Sequence, residues 1–218
     1  MPKAPVHEPT SPEMVAAWID SAQRQRDPFE RVRRASHQHR ESHGWGCTVY
    51  PTSSGPLLAV LAASVGAKRI LELGCGLGYS ALCLAHGSRA LVETIERDAS
   101  HVRLAEAEFA RAGYRDRIRV IHGNATDVLP QLTGPYDLIF SDADPEEMPA
   151  AFDHFLRLLR PRGLLVSANL FLAQFVSDLP GIEQMAHYRQ RILDDERLLT
   201  TIIPGGLALS CLVATAAS

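Results

Sequence analysis

From residue 69 onward, short apolar runs rich in β-branched residues alternate with segments whose apolar residues recur at helical spacing. That alternation is the pattern of βαβ units on a parallel sheet, and it excludes most other architectures. Strands are predicted for RILELG (69–74), ALVETIE (90–96), RIRVIHG (117–123), YDLIFSD (136–142) and GLLVSAN (163–169). Helices are predicted between them, from Tyr79 to His86, Ser100 to Ala112, Ala125 to Leu132 and Glu147 to Arg160. Gly113 follows the second helix and Pro161 with Gly163 the fourth, where helices commonly stop. A polar helix from Ile182 to Leu193 then precedes LLTTIIP and LALSCLVAT, which flank Gly205 and Gly206 and read as a hairpin. The expected fold class is therefore α/β, with a mostly parallel sheet that ends in an antiparallel pair. With 218 residues, 46% of them hydrophobic, the chain is long enough for one sizeable core.

Residues 1–45 differ in character and are expected to form an N-terminal helical extension, acting as a lid or a dimer contact, ahead of a domain over 46–218. Pro2, Pro5, Pro9 and Pro12 make its start irregular, while Glu13 to Arg26 is amphipathic and reads as a helix. Arg24, Arg26, Arg31, Arg33, Arg34 and Arg40 cluster there with His37, His39 and His43. A solvated helix face is the first reading of that cluster and a patch for nucleic acid or an anionic substrate the second, since the whole chain carries a formal charge of −3. The start MPKAPVHEPTSPE has no apolar signal segment, and runs such as LLAVLAASVGA fall short of a bilayer span, so a soluble, cytoplasmic protein is expected. Cys47, Cys75, Cys83 and Cys211 lie far apart without a CxxC pair and read as reduced core thiols.

LELGCGLGYS, at 71–80, places Gly74, Gly76 and Gly78 between the first strand and the next helix. Glycines there let the backbone turn tightly and approach a ligand, while the helix that follows offers unpaired N–H groups. The GxGxG spacing departs from the GxGxxG dinucleotide fingerprint, which weakens a pyrophosphate reading. The second strand ends in Glu96, 22 residues beyond Gly74, where an acidic side chain accepts bonds from both hydroxyls of a ribose. The third ends in His122-Gly123-Asn124-Ala125, suited to the edge of an adenine, and the fourth ends in Asp142. Four strand tips in a row thus carry ligand-type residues on the edge where open α/β sheets bind.

LELGCGLGYSAL, VETIERD, GNATDVLPQL, YDLIFSDAD and LLRPRGLLVSAN together resemble the class I S-adenosylmethionine-dependent methyltransferases, and more narrowly the catechol and caffeoyl-coenzyme A type of small O-methyltransferases. The resemblance covers roughly residues 45 to 215 and implies a Rossmann-like seven-stranded sheet with helices on both faces, a small-molecule substrate and a homodimer. It implies that Tyr50 wraps the methionine part of S-adenosylmethionine and that Glu72, Gly74, Gly76, Gly78 and Ser80 hold its amino and carboxylate groups. It further implies Glu96 at the ribose, Asn124 with Ala125 at the adenine, Asp142 near the sulfonium, and Arg97 among the cofactor-binding residues. S-adenosylhomocysteine would be the product. Glu72 as a cap for neighbouring amides, Tyr50 as a packed aromatic and Asn124 as a helix cap are the plain readings beside these.

Metal-dependent members of this family carry a DxDK motif after the fourth strand and a DN pair at the end of the fifth, which ligate a hard divalent cation. This chain has DADP, with Asp142 and Asp144 present but Pro145 in place of the lysine, and Ala168-Asn169 at the fifth strand. One carboxylate ligand is missing, so no metal site is expected there, although Asp144 is a candidate to replace it. Lysine occurs only at Lys3 and Lys68, neither near the predicted ligand edge. Candidate catalytic residues are therefore Asp142 and Asp144 as bases and Asn169 as an orienting amide, with His37, His39 and His43 as further bases if the N-terminal segment folds over the site. His101, His122 and His154 read as structural or exposed. The readings set against O-methyl transfer are RNA methylation, a cofactor-binding homologue without catalysis, and a nicotinamide oxidoreductase.

Overall fold

In a computed structural model, which describes residues 11–44, 47, 49, 52, 54–171 and 180–213, strand β1 (Arg69–Leu73) lies at the centre of one sheet. Ile70, Leu71 and Leu73 are fully buried although they point to opposite faces of the pleat, which requires a packed layer on each side. Strands β2 (Leu91–Glu96) and β4 (Tyr136–Ser141) flank β1 in parallel, and β3 (Ile118–His122) and β5 (Leu159–Ser167) lie outside them. β6 (Leu198–Ile203) and β7 (Leu207–Leu212) form the hairpin, and β7 runs antiparallel to β5. The seven-stranded order is β3-β2-β1-β4-β5-β7-β6, as the fold class anticipates.

Helices cover both faces. On one, α2 (Glu30–His43), α3 (Gly55–Ser64), α4 (Tyr79–Gly87) and α5 (Ala99–Ala112) bury Val32, Leu58, Leu82 and Phe109 against Ile70 and Leu138. On the other, α6 (Ala125–Val128), α7 (Met148–Leu158) and α8 (Ile182–Asp194) pack Phe152, Phe155 and Tyr188 against Leu71 and Ile139. The α3 and α4 backbones approach so closely at Gly87 that a Cβ there would lie 1.9 Å from the Ala59 carbonyl oxygen. No helix among the described residues is long and apolar enough to cross a membrane.

Three features differ from the sequence reading. β5 begins at Leu159 rather than 163, because Leu159 pairs with Tyr136 and Arg160 donates to Asp137 at 2.5 Å, so the helix before it stops at Leu158. The helix predicted over 125–132 divides into α6 and a 3-10 turn at Leu129–Gln131, where Pro130 has no N–H to continue the ladder. The arginine- and histidine-rich stretch is a helix with a packed side, since Val32, Arg33 and Ser36 are buried. Its charges are paired internally: Arg33 binds Glu30 at 2.7 and 2.9 Å, and Arg31 reaches Glu108. By contrast α1 (Pro12–Arg26) buries none of its residues and leaves Met14, Val15, Trp18 and Ile19 exposed.

Candidate functional site

Ladder bonds carry the strand alignment past the last sheet residues to the tips. Gly74 N–H donates to Ile95 O at 3.1 Å, Gly123 N–H to Glu96 O at 3.0 Å, Asp142 N–H to Leu73 O at 3.0 Å and Ala168 N–H to Ser141 O at 2.9 Å. Gly74, Glu96, Asp142 and Ala168 are thereby fixed side by side. The chain leaves β1 toward β2 and β3 on one side and reaches β4 and β5 on the other, so the crevice opens where the strand order reverses.

The glycine turn is left-handed at all three positions, with φ of 88° at Gly74, 51° at Gly76 and 90° at Gly78. At Gly74 a Cβ would stand 2.6 Å from the backbone oxygen of Asp142, so glycine lets the two tips touch. Beneath the turn, Glu72 is fully buried. Its Oε2 accepts from Thr94 Oγ1 at 2.6 Å, while Oε1 has no hydrogen-bond partner among the described residues. Burial raises its pKa to about 8, against the hydroxyls of Ser80 and Thr94, which favour ionisation, and with the help of the Asp142 and Glu96 charges. A buried carboxyl with an unused oxygen is suited to a cationic group delivered to the turn.

Glu96 is buried too, yet its pKa lies below the usual range. Burial opposes ionisation, but the His101 ring, 3.7 Å away, and the amides of Asp98 and Gly76, at 2.9 and 2.8 Å, outweigh it. His101 is raised in turn, first through its bond to Glu96. A carboxylate offers about four lone-pair sites, so Glu96 retains capacity to accept from a ribose hydroxyl.

At the β4 and β5 tips, Asn169 Nδ2 donates to Asp142 Oδ1 at 2.6 Å. Asn169 has φ of 63°, a left-handed conformation that asparagine tolerates and most residues avoid. Withdrawal from solvent raises Asp142 to about 7, against the Asn169 bond, and the Asp144 charge adds to the rise. Asp144 itself is held by Arg97, Nη1 to Oδ2 at 2.6 Å.

Of the residues expected at the site, Glu72, the three glycines, Ser80, Glu96, Asp142 and Asn169 come together along the crevice. Ala125 is buried at the start of α6, and Asn124 is exposed, donating to Asp127 at 3.3 Å. Arg97 faces Asp144, a pairing without local sequence signal. Tyr50 lies outside the described residues. His37 contacts Arg33, and the His39 ring contacts His43 and His101, so these rings are engaged around α2 and α5 rather than with Asp142 or Asn169. His101 is buried and lies 3.7 Å from Glu96, a contact without local sequence signal. Lys68 precedes β1 at the opposite end of the sheet.

This sheet order, with a glycine turn and acidic β1 and β2 tips at its switch point, defines a Rossmann-like methyltransferase. More narrowly, the chain belongs to the O-methyltransferase family, whose profile matches residues 20–211. A Mycobacterium tuberculosis protein named "Probable O-methyltransferase" is 38% identical over 161 residues, covering 70% of this chain and 71% of that protein. The crystal structure of the O-methyltransferase TomG from Streptomyces achromogenes, involved in tomaymycin synthesis and solved with SAM, superposes with a TM-score of 0.75 at 28% identity, covering 92% of this chain and 96% of that one. The O-methyltransferase from Bacillus cereus in complex with SAH gives 0.73 at 26% identity, with 89% and 96% covered.

Proposed function

We propose that the chain transfers the methyl group of S-adenosylmethionine to a hydroxyl of a small molecule, in the cytoplasm and as a homodimer, without a divalent cation at Asp142. The bound cofactor supplies a methyl group on a sulfonium, whose in-line transfer is accelerated chiefly by positioning. Glu72 and the glycine turn fit its amino acid end, and Glu96 its ribose. The observation that carries the reading is the Asp142–Asn169 pair, which abuts the glycine turn through the Asp142 carbonyl. Asp142, poised near neutral pH, takes the acceptor's proton, and Asn169 holds the acceptor oxygen beside it. Asn124 and Ala125 line the adenine end in this reading, with residues 1–45 as the extension that borders the 46–218 domain.

The donor set does not suit a hard cation. Arg97 already neutralises Asp144 at 2.6 Å, Asn169 turns its amide donor toward Asp142, and Ala168 offers no oxygen beyond its backbone. Protein dialysed against a chelator is therefore expected to transfer labelled methyl from S-adenosylmethionine to a phenolic or aliphatic hydroxyl in a panel of small acceptors, with a rate that added Mg²⁺ leaves unchanged. Strict dependence on Mg²⁺ overturns the metal-free reading, and transfer to RNA alone overturns the small-molecule one.

The apolar side chains that α1 exposes support the homodimer. Sedimentation should give a dimer that Trp18→Asp dissociates, whereas a monomer at all concentrations removes this part of the proposal. The four cysteines, all free thiols, suit a reducing compartment.

A further inference from the structure

Beside Glu96, α2, the segment that follows it and the first turn of α5 bring together His39, Cys47 and His101. One ligand atom from each lies within 4.8 Å of the other two. Cys47 and His101 are both 6% exposed, and His39 is partly exposed at the rim. We infer that these three side chains form a binding site for one thiophilic divalent ion of the zinc class, separate from the methyl-transfer centre.

The residue types decide the ion. Two imidazoles and a thiolate are the ligands of zinc and its spectroscopic substitute cobalt, whereas magnesium and calcium take oxygen. A fourth position is left for water. With metal–nitrogen distances of about 2.0–2.1 Å and metal–sulfur of about 2.3 Å, ligand atoms in a tetrahedral site stand roughly 3.3–3.7 Å apart. Side-chain shifts of about 1 Å or less therefore close the site, without a change of fold.

Its surroundings are those of a supported ligand set. His101 Nδ1 faces Glu96 at 3.7 Å, leaving Nε2 for the ion, and Glu96 is itself fixed by the amides of Gly76 and Asp98. A carboxylate behind a ligating histidine orients the ring and raises its basicity. Cys47 is held at its backbone, where its N–H donates to Gly44 O at 3.1 Å and its carbonyl accepts from Arg40 at 3.0 Å. Its side chain sits among Val49, Leu77 and Ala35, an apolar shell that keeps water from the sulfur. The His39 ring stacks on His43 at 4.0 Å and meets His101 edge to face at 5.3 Å.

The plain alternative is that Cys47 is a packed thiol beside a structural histidine. It leaves unexplained why a second imidazole, from another helix, is aimed at both. On binding, the thiol releases its proton to solvent, and the thiolate together with the Glu96 charge offsets the ion. The ion then bridges α2 and α5 directly behind the ribose carboxylate, so metal and cofactor affinities are linked reciprocally through Glu96.

The test uses the untagged, reduced, chelator-stripped full chain titrated with Co²⁺ in the absence of cofactor, so that it stands or falls independently of methyl transfer. One equivalent is expected, with a thiolate-to-cobalt charge-transfer band in the near ultraviolet and the intense visible bands of tetrahedral cobalt, both displaced by Zn²⁺. Cys47→Ser, which lies outside the helices, should lose the charge-transfer band, and His39→Ala should bind at least tenfold more weakly. Zn²⁺ should raise the Tm of the parent chain and not that of Cys47→Ser. Absence of the band, or its survival in a Cys47→Ser variant whose circular dichroism matches the parent's, overturns the proposal.

Discussion

Glu72→Gln is expected to abolish a pH dependence of stability and, at the same time, most of the cofactor affinity. Glu72 is fully buried with a carboxyl raised to about 8 by that burial, against an ordinary value of 4.5. The folded chain therefore keeps a proton that the unfolded chain gives up. Its stabilising contribution is fully present below about pH 4.5 and is lost progressively as the pH rises toward 8. The integrated loss is roughly 3–5 kcal/mol. Glutamine does not titrate, so unfolding of the ligand-free variant should show that part of the slope removed, and the variant should be the more stable chain at pH 8. Cofactor binding reverses the preference, because an ammonium group at the unused Oε1 stabilises the ionised form. At pH 7 the parent chain should release close to one proton on binding S-adenosylhomocysteine. Glu72→Gln should release none and bind more weakly by about 2–4 kcal/mol, through loss of a charged, desolvated hydrogen bond. Calorimetry in two buffers of different ionisation enthalpy measures both quantities. Equal affinity in the two chains would remove Glu72 from cofactor binding.

What the sequence disclosed of this architecture depended on how local each signal was. Strands β1, β2 and β4 were legible to within a residue or so because each carries a dense set of buried apolar residues bounded by polar or glycine positions. Their tips followed from the strands, so Gly74, Glu96 and Asp142 could be placed together before any geometry was known. α3 was not legible as a helix: GPLLAVLAAS is apolar nearly throughout, and a run without a polar face has no period to read. The start of β5 was hidden by Pro161 and Gly163, which mark a helix stop in sequence but lie within the strand, where Arg162 takes a φ of 64°. α2 looked solvated because its arginines dominate the composition, while its packed side rests on Val32 and Ser36 with Phe29 just before it. The Arg97–Asp144 ion pair and the His39–Cys47–His101 group join residues from separate elements. Such contacts are set by the strand order and by how α2 docks on the sheet, neither of which has a local signature.

The second large effect belongs to Asp142. If its carboxylate accepts the acceptor's proton, kcat/KM should be low where it is protonated, climb with pH through a midpoint near 7, and level off above it. Asp142→Asn should lower kcat by about 10²–10⁴-fold, the usual contribution of a positioned base, while changing the KM for S-adenosylmethionine far less. The neighbours fix the sign of two further shifts. Asn169 donates to the carboxyl and favours its ionised form, so Asn169→Ala should move the rising limb to higher pH. The Asp144 charge raises Asp142, so Asp144→Asn should move the limb to lower pH. A purely structural role for Asp142 predicts a uniform loss of rate with the limb in place. Opposite displacements in the two neighbouring variants therefore separate a titrating base from a packing residue. A rate that is flat between pH 5 and 9, or a full kcat in Asp142→Asn, would leave methyl transfer in this crevice to proximity alone.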